Sequence, residues 1–143
     1  MARRFPLAGL LRLRTLEQDR AAVTLASAND RVRVAADARV TARRTLAEAE
    51  DAQPIQDAAT LSAVAAARAA TRGMLEELDA VVLSRRAEAA AAQAEYTTAR
   101  RAALGLEKLE AKHVTLQTAA DLRTEQNALD EIAARRRAEG GVR

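Results

Sequence analysis

The sequence predicts an all-α fold, a long antiparallel two-helix coiled-coil hairpin with room for a short helix at its tip. Three observations point there. Alanine, arginine, leucine and glutamate dominate the 143 residues, and these are strong helix formers. Breakers are scarce, with five glycines and two prolines. Apolar residues recur in steps of three and four over long stretches. A globular core is excluded by size of side chain: 38 of the apolar residues are alanine, and only Phe5 and Tyr96 are aromatic.

Taken in order, Pro6 has the fixed φ that suits a first helical turn. From there the spacing predicts helix 1 over about 7–50. Its seam runs Leu7, Leu11, Arg14, Gln18, Ala21, Leu25, Ala28, Val32, Ala35, Arg39, Ala42, Leu46, Ala49, with ten of thirteen positions apolar. Pro54 biases its predecessor out of the helical region, so 51–72 reads as a tip loop and a short helix that starts at about Asp57, with Gly73 either splitting it from the return helix or letting it run on. The return helix is expected over about 74–137. Its seam is Leu75, Leu78, Val82, Arg85, Ala89, Ala92, Tyr96, Ala99, Ala103, Leu106. Past Gly105 the pattern is read as slipping by a residue to Leu109, His113 and Leu116, and later to Leu122, Gln126, Leu129 and Ala133. Gly140-Gly141 signals a stop, leaving 138–143 as a flexible tail. The whole of 1–143 is thus one coiled-coil domain. At 1.5 Å per residue its two long helices would measure about 66 and 96 Å, joined as antiparallel neighbours by a short loop.

Such a hairpin has no interior beyond its seam, so it offers no water-excluding catalytic pocket, and no enzyme activity is expected. No cysteine is present to ligate zinc or act as a nucleophile. His113 is the single histidine and falls at a seam-like position with only Glu110 and Gln117 at helical spacing, so no metal site is expected. Glycine-rich phosphate loops are absent, and no cofactor or small-molecule substrate is expected. The charge is a mild +3, from 23 basic and 20 acidic residues, and the basic residues are nearly all arginine. Arginine pairs at 43–44, 85–86 and 100–101 are mixed with acids and lack interleaved aromatics, which speaks against nucleic acid. Clusters at Arg3-Arg4 and Arg135-Arg136-Arg137 would meet at one pole and suit an acidic protein surface. Ala87 to Ala94 reads as a slim spacer. No stretch is apolar enough for a transmembrane helix, and Arg12 and Arg14 interrupt what would otherwise resemble a signal peptide.

The opening Phe5-Pro6-Leu7-Ala8-Gly9-Leu10-Leu11-Arg12-Leu13-Arg14-Thr15-Leu16-Glu17 resembles the start of the FliJ family of flagellar type III export proteins. So does Leu106-Glu107-Lys108-Leu109-Glu110. The segment Glu125-Gln126-Asn127-Ala128-Leu129-Asp130-Glu131-Ile132-Ala133, followed by arginines, is similar to the family's EQ-x-x-LDE-x-A segment. The resemblance covers both ends of the chain and its plan.

What the resemblance implies is a monomeric stalk-like coiled coil, cytoplasmic and peripheral at the inner membrane. It would bind and activate the hexameric export ATPase (FliI), link it to the membrane export gate (FlhA), and escort export chaperones. The residues implied at the ATPase end are Phe5, Leu10, Arg12, Leu13, Gln126, Leu129, Asp130, Glu131 and Arg135. At the export-gate end they are Ala42, Thr45, Leu46 and Ala49, a stretch without the family's tip aromatics. A self-associating scaffold coiled coil is the second reading of the same sequence. The seam assignment further implies that Leu25→Asp or Leu129→Asp unfolds part of the hairpin.

Overall fold

A computed structural model describes residues 4–51 and 57–140. Two helices account for nearly all of them: α1, Ala8–Asp51, of 44 residues, and α2, Ala58–Gly140, of 83 residues. There is no strand among the described residues. The helices pack against each other, as an all-α helical hairpin requires.

Each end of each helix has a local cause. Before α1 the backbone N–H of Ala8 donates to the Phe5 carbonyl at 3.2 Å, a turn over Pro6 and Leu7. Asp57 caps α2: its Oδ1 accepts from the backbone N–H of Thr60 at 2.6 Å. That bond holds the Asp57 carboxyl below its ordinary range. Gly73 does not divide the second helix. It sits within α2 with no positive φ, so residues 58–72 are the first turns of the return helix, not a separate one. Isolated glycine weakens a helix by about 1 kcal/mol, which the long flanking runs of helix formers override. α2 also extends past Arg137 to Gly140, so 138–140 is helical, while 141–143 and the loop over 52–56 lie outside the described residues.

Two compact units make up the chain: Gln18–Thr98, and Met1–Glu17 with Ala99–Arg143. In Gln18–Thr98 the ion pairs Arg31–Glu88 (3.8 Å), Arg39–Asp79 (3.1 Å) and Arg43–Asp79 (3.9 Å) tie rising positions of α1 to falling positions of α2. The pairing is therefore antiparallel. Its core is Ala28, Ala35, Val82 and Ala92, all buried. In the other unit, Phe5 lies against His113 with ring centroids 5.6 Å apart, and Ala103 is fully buried.

The seam follows the sequence closely in α1. Eleven of the thirteen expected positions are buried or half-buried, and the two exceptions, Leu7 and Ala49, are its ends. In α2 all ten positions from Leu75 to Leu106 are covered. Beyond Gly105 the structure differs from the expectation. The three–four steps continue without a slip through Leu106, Glu110, His113 and Gln117, and Leu109 and Leu116 face outward. Register is carried by backbone geometry, and one glycine without a bulge cannot reset it. After Gln117 there is no seam: every side chain from Thr118 to Ala138 is exposed, including Leu122, Gln126, Leu129 and Ala133.

Candidate functional site

The unit of Met1–Glu17 and Ala99–Arg143 gathers most of the large apolar side chains left in water. On α1 and its lead-in these are Leu7, Leu10, Leu13 and Leu16, and on α2 Leu104, Leu109, Val114, Leu116, Leu122, Leu129 and Ile132. Exposed single leucines are ordinary, but here eleven large apolar side chains are exposed in one unit. Between the helices lies an open groove of about 570 Å³ lined by Ala8, Leu11, Arg12, Thr15, Leu16 and Glu110.

Polar seam positions explain why so little apolar area is buried here. Glu110, His113 and Gln117 occupy the positions that face the start of α1, and Phe5 meets the His113 ring. Arg14 is tied along its own helix to Glu17 at 2.8 Å.

The ATPase-end residues divide between two settings. Phe5 is half-buried against His113, so it holds the start of α1 in place and presents only part of its ring. Arg12 is exposed and lines the groove, while Leu10 and Leu13 are exposed on α1 away from it. Gln126, Leu129, Asp130, Glu131 and Arg135 all lie on the unaccompanied stretch of α2, with Leu129 at 66% exposure. There Arg135 pairs with Glu131 one turn back at 2.6 Å. Leu122, Leu129 and Ile132 fall within one broad face of that stretch by helical spacing. Leu16 and Ile132, not singled out from sequence, belong to the same exposed set, and Leu116 and Leu122, read there as seam positions, join them. Continuing the register past Leu106 in uninterrupted three–four steps would have found Leu109 and Leu116 outside the seam.

The residues expected at the export gate lie in the Gln18–Thr98 unit. Ala42 and Leu46 are half-buried seam residues. Thr45 is exposed, but its hydroxyl donates to the Thr41 carbonyl at 3.1 Å. Ala49 lines an open groove of about 280 Å³ with Ala63, Val64, Ala67, Arg68 and Thr71. The Arg68 Nε is shut off from water there without a hydrogen-bond partner.

Among the described residues no three His, Cys, Asp or Glu side chains converge as a metal ion needs, and no helix is long and apolar enough to cross a membrane. The grooves are shallow and open. Fold and surface together define a helical hairpin whose exposed large apolar residues concentrate in one unit.

A scan of family models matches the flagellar FliJ protein family over residues 3–141 of the 143. The chain belongs to the FliJ family, and is thereby a component of the flagellar export apparatus, where this family is non-catalytic. Neither the curated proteins nor the solved structures gave a match.

Proposed function

We propose that this chain is the stalk-like, non-enzymatic coiled coil that binds and activates a hexameric export ATPase and links it to the export gate. One observation carries the reading. The last turns of α2, Thr118 to Ala138, are a helix without a partner among the described residues, displaying Leu122, Leu129 and Ile132 among charged residues. A helix this poor in burial is marginal alone, and order supplied by a partner stabilises it. Leu10, Arg12 and Leu13 complete the ATPase-facing surface, with Gln126, Asp130, Glu131 and Arg135 as its polar rim.

On this reading Ala42, Thr45, Leu46 and Ala49 lie in the region that meets the gate. Small and weakly polar side chains make that contact one of fast exchange, as suits a link that releases and rebinds. The protein then works as a monomer in the cytoplasm, peripheral to the inner membrane, and accompanies export chaperones.

The test is ATP hydrolysis by the matched FliI-like ATPase with and without the purified chain. The rate is expected to rise several-fold, and Leu129→Asp is expected to abolish the rise without loss of helicity. An unchanged rate would remove the stalk role. Sedimentation of the free chain as a tight dimer or tetramer would favour a scaffold instead.

A further inference from the structure

We propose that one flank of the Gln18–Thr98 unit is a docking groove for an acidic amphipathic helix. The proposal is independent of the export reading and concerns residues that reading does not use. The groove, of about 330 Å³, is lined by Arg39, Arg43, Asp79, Val82, Leu83 and Arg86. Val82 is buried at 1% and forms its floor, while Leu83 beside it stands 66% exposed. Val40, three residues before Arg43 and therefore on the adjoining face of α1, is 57% exposed.

Charge decides the partner's sign. Three guanidiniums border the groove against one carboxylate, and that carboxylate is engaged. Asp79 Oδ1 is closed off from water and lies 3.1 Å from Arg39 Nε, an ion pair without an aligned hydrogen bond. Its other oxygen is 3.9 Å from Arg43. Further along α2, Glu88 is engaged as well: it accepts from Arg85 at 2.9 and 3.0 Å and faces Arg31 at 3.8 Å. Arg86 has no acidic partner among the described residues, and Arg43 has only its long contact. A surplus of positive charge therefore flanks an exposed leucine and valine.

Shape decides the partner's form. Two antiparallel helices leave a furrow along their length, and a third helix fills such a furrow with one apolar stripe. Carboxylates beside that stripe would reach Arg43 and Arg86, where a planar guanidinium binds them bidentately. Two exposed apolar residues are too few for a lipid face, and the groove has no aromatic to stack a base.

A suitable probe is a labelled synthetic helix of roughly five turns, about 18 residues, with leucine along one face and glutamate elsewhere. Fluorescence anisotropy measures its binding to the full chain. The acidic helix is expected to bind at least about tenfold more tightly than a scrambled peptide of the same composition, or one with lysine for glutamate. Arg43→Glu with Arg86→Glu should weaken binding by about tenfold or more, and Leu83→Ser by a few-fold, with circular dichroism unchanged. Arg86→Gln alone keeps the test valid if the double variant misfolds, and it too should weaken binding. Leu129→Asp should leave binding as it was. Equal binding of the scrambled peptide, or insensitivity to the groove variants, would overturn the proposal. So would anionic phospholipid vesicles that bind the chain with the same variant dependence, since that would make the flank a membrane contact.

Discussion

Ala28 and Ala103, at 1% and 0% exposure, set how closely the helices approach in the unit to which each belongs. A larger side chain has nowhere to go in such a contact, so Ala28→Leu should destabilise by about 1–3 kcal/mol through overpacking. Thermal melts followed by circular dichroism check it. The glycines behave oppositely. A Cβ added at Gly73 or Gly105 would meet nothing within 4 Å, and neither has a positive φ. Gly73→Ala and Gly105→Ala should therefore each stabilise by about 0.5–1 kcal/mol, by removing unfolded-state freedom at no steric cost. Asp57 carries a pH dependence with a definite sign. Its folded pKa is lowered by accepting the Thr60 N–H, so the cap is fully present above the unfolded carboxylate range, near about 3.9. It is lost as the pH falls through the depressed folded value. Amide exchange at Thr60 should quicken over that acid range, and Asp57→Asn should remove the dependence while keeping a cap. At this scale the sequence was informative where a residue acts locally, as with Pro6 in the turn that leads into α1. It was silent where a residue acts across helices: nothing in the spacing of Arg39 and Asp79 announces that they meet.

Of the two elements, α1 was almost wholly legible, because its three–four steps are uninterrupted and its partner runs beside it throughout. α2 was legible as far as Leu106. Beyond that, leucines at 109, 116, 122 and 129 invited a seam that backbone register does not provide, and hydrophobicity was mistaken for burial. The two aspartate substitutions therefore part ways. Leu25 is half-buried between helices, and Leu25→Asp should lower the melting temperature, with a cost of about 2–3 kcal/mol for a carboxylate placed in that contact. Leu129 is 66% exposed on a stretch of α2 whose described side chains are all exposed, and Leu129→Asp should leave the melt within about 0.5 kcal/mol of the parent. A fall in stability with Leu129→Asp as large as with Leu25→Asp would mean that the last turns of α2 are packed after all.

For the molecule as a whole, plan and family were readable because both depend on periodicity and on a few end segments, such as Gln126 to Ala133. Which side of each helix meets a partner was not, because that depends on where a seam stops. A truncation after Thr118 separates the two. Every side chain it removes over 119–138 is exposed, so the melting temperature should shift by no more than ~2 °C, while stimulation of the export ATPase is lost. The same stretch has a further consequence, for the fate of the unassembled chain. Arg123, Arg135, Arg136 and Arg137 lie where helical turns open most cheaply, and a trypsin-like protease needs an opened backbone to cut. Cleavage should begin after Arg123 well before Arg39 or Arg85 is reached. A partner seated on these turns would shield them, so copies without one would be trimmed first, and the cell's proteases would keep the supply matched to the number of assembled machines.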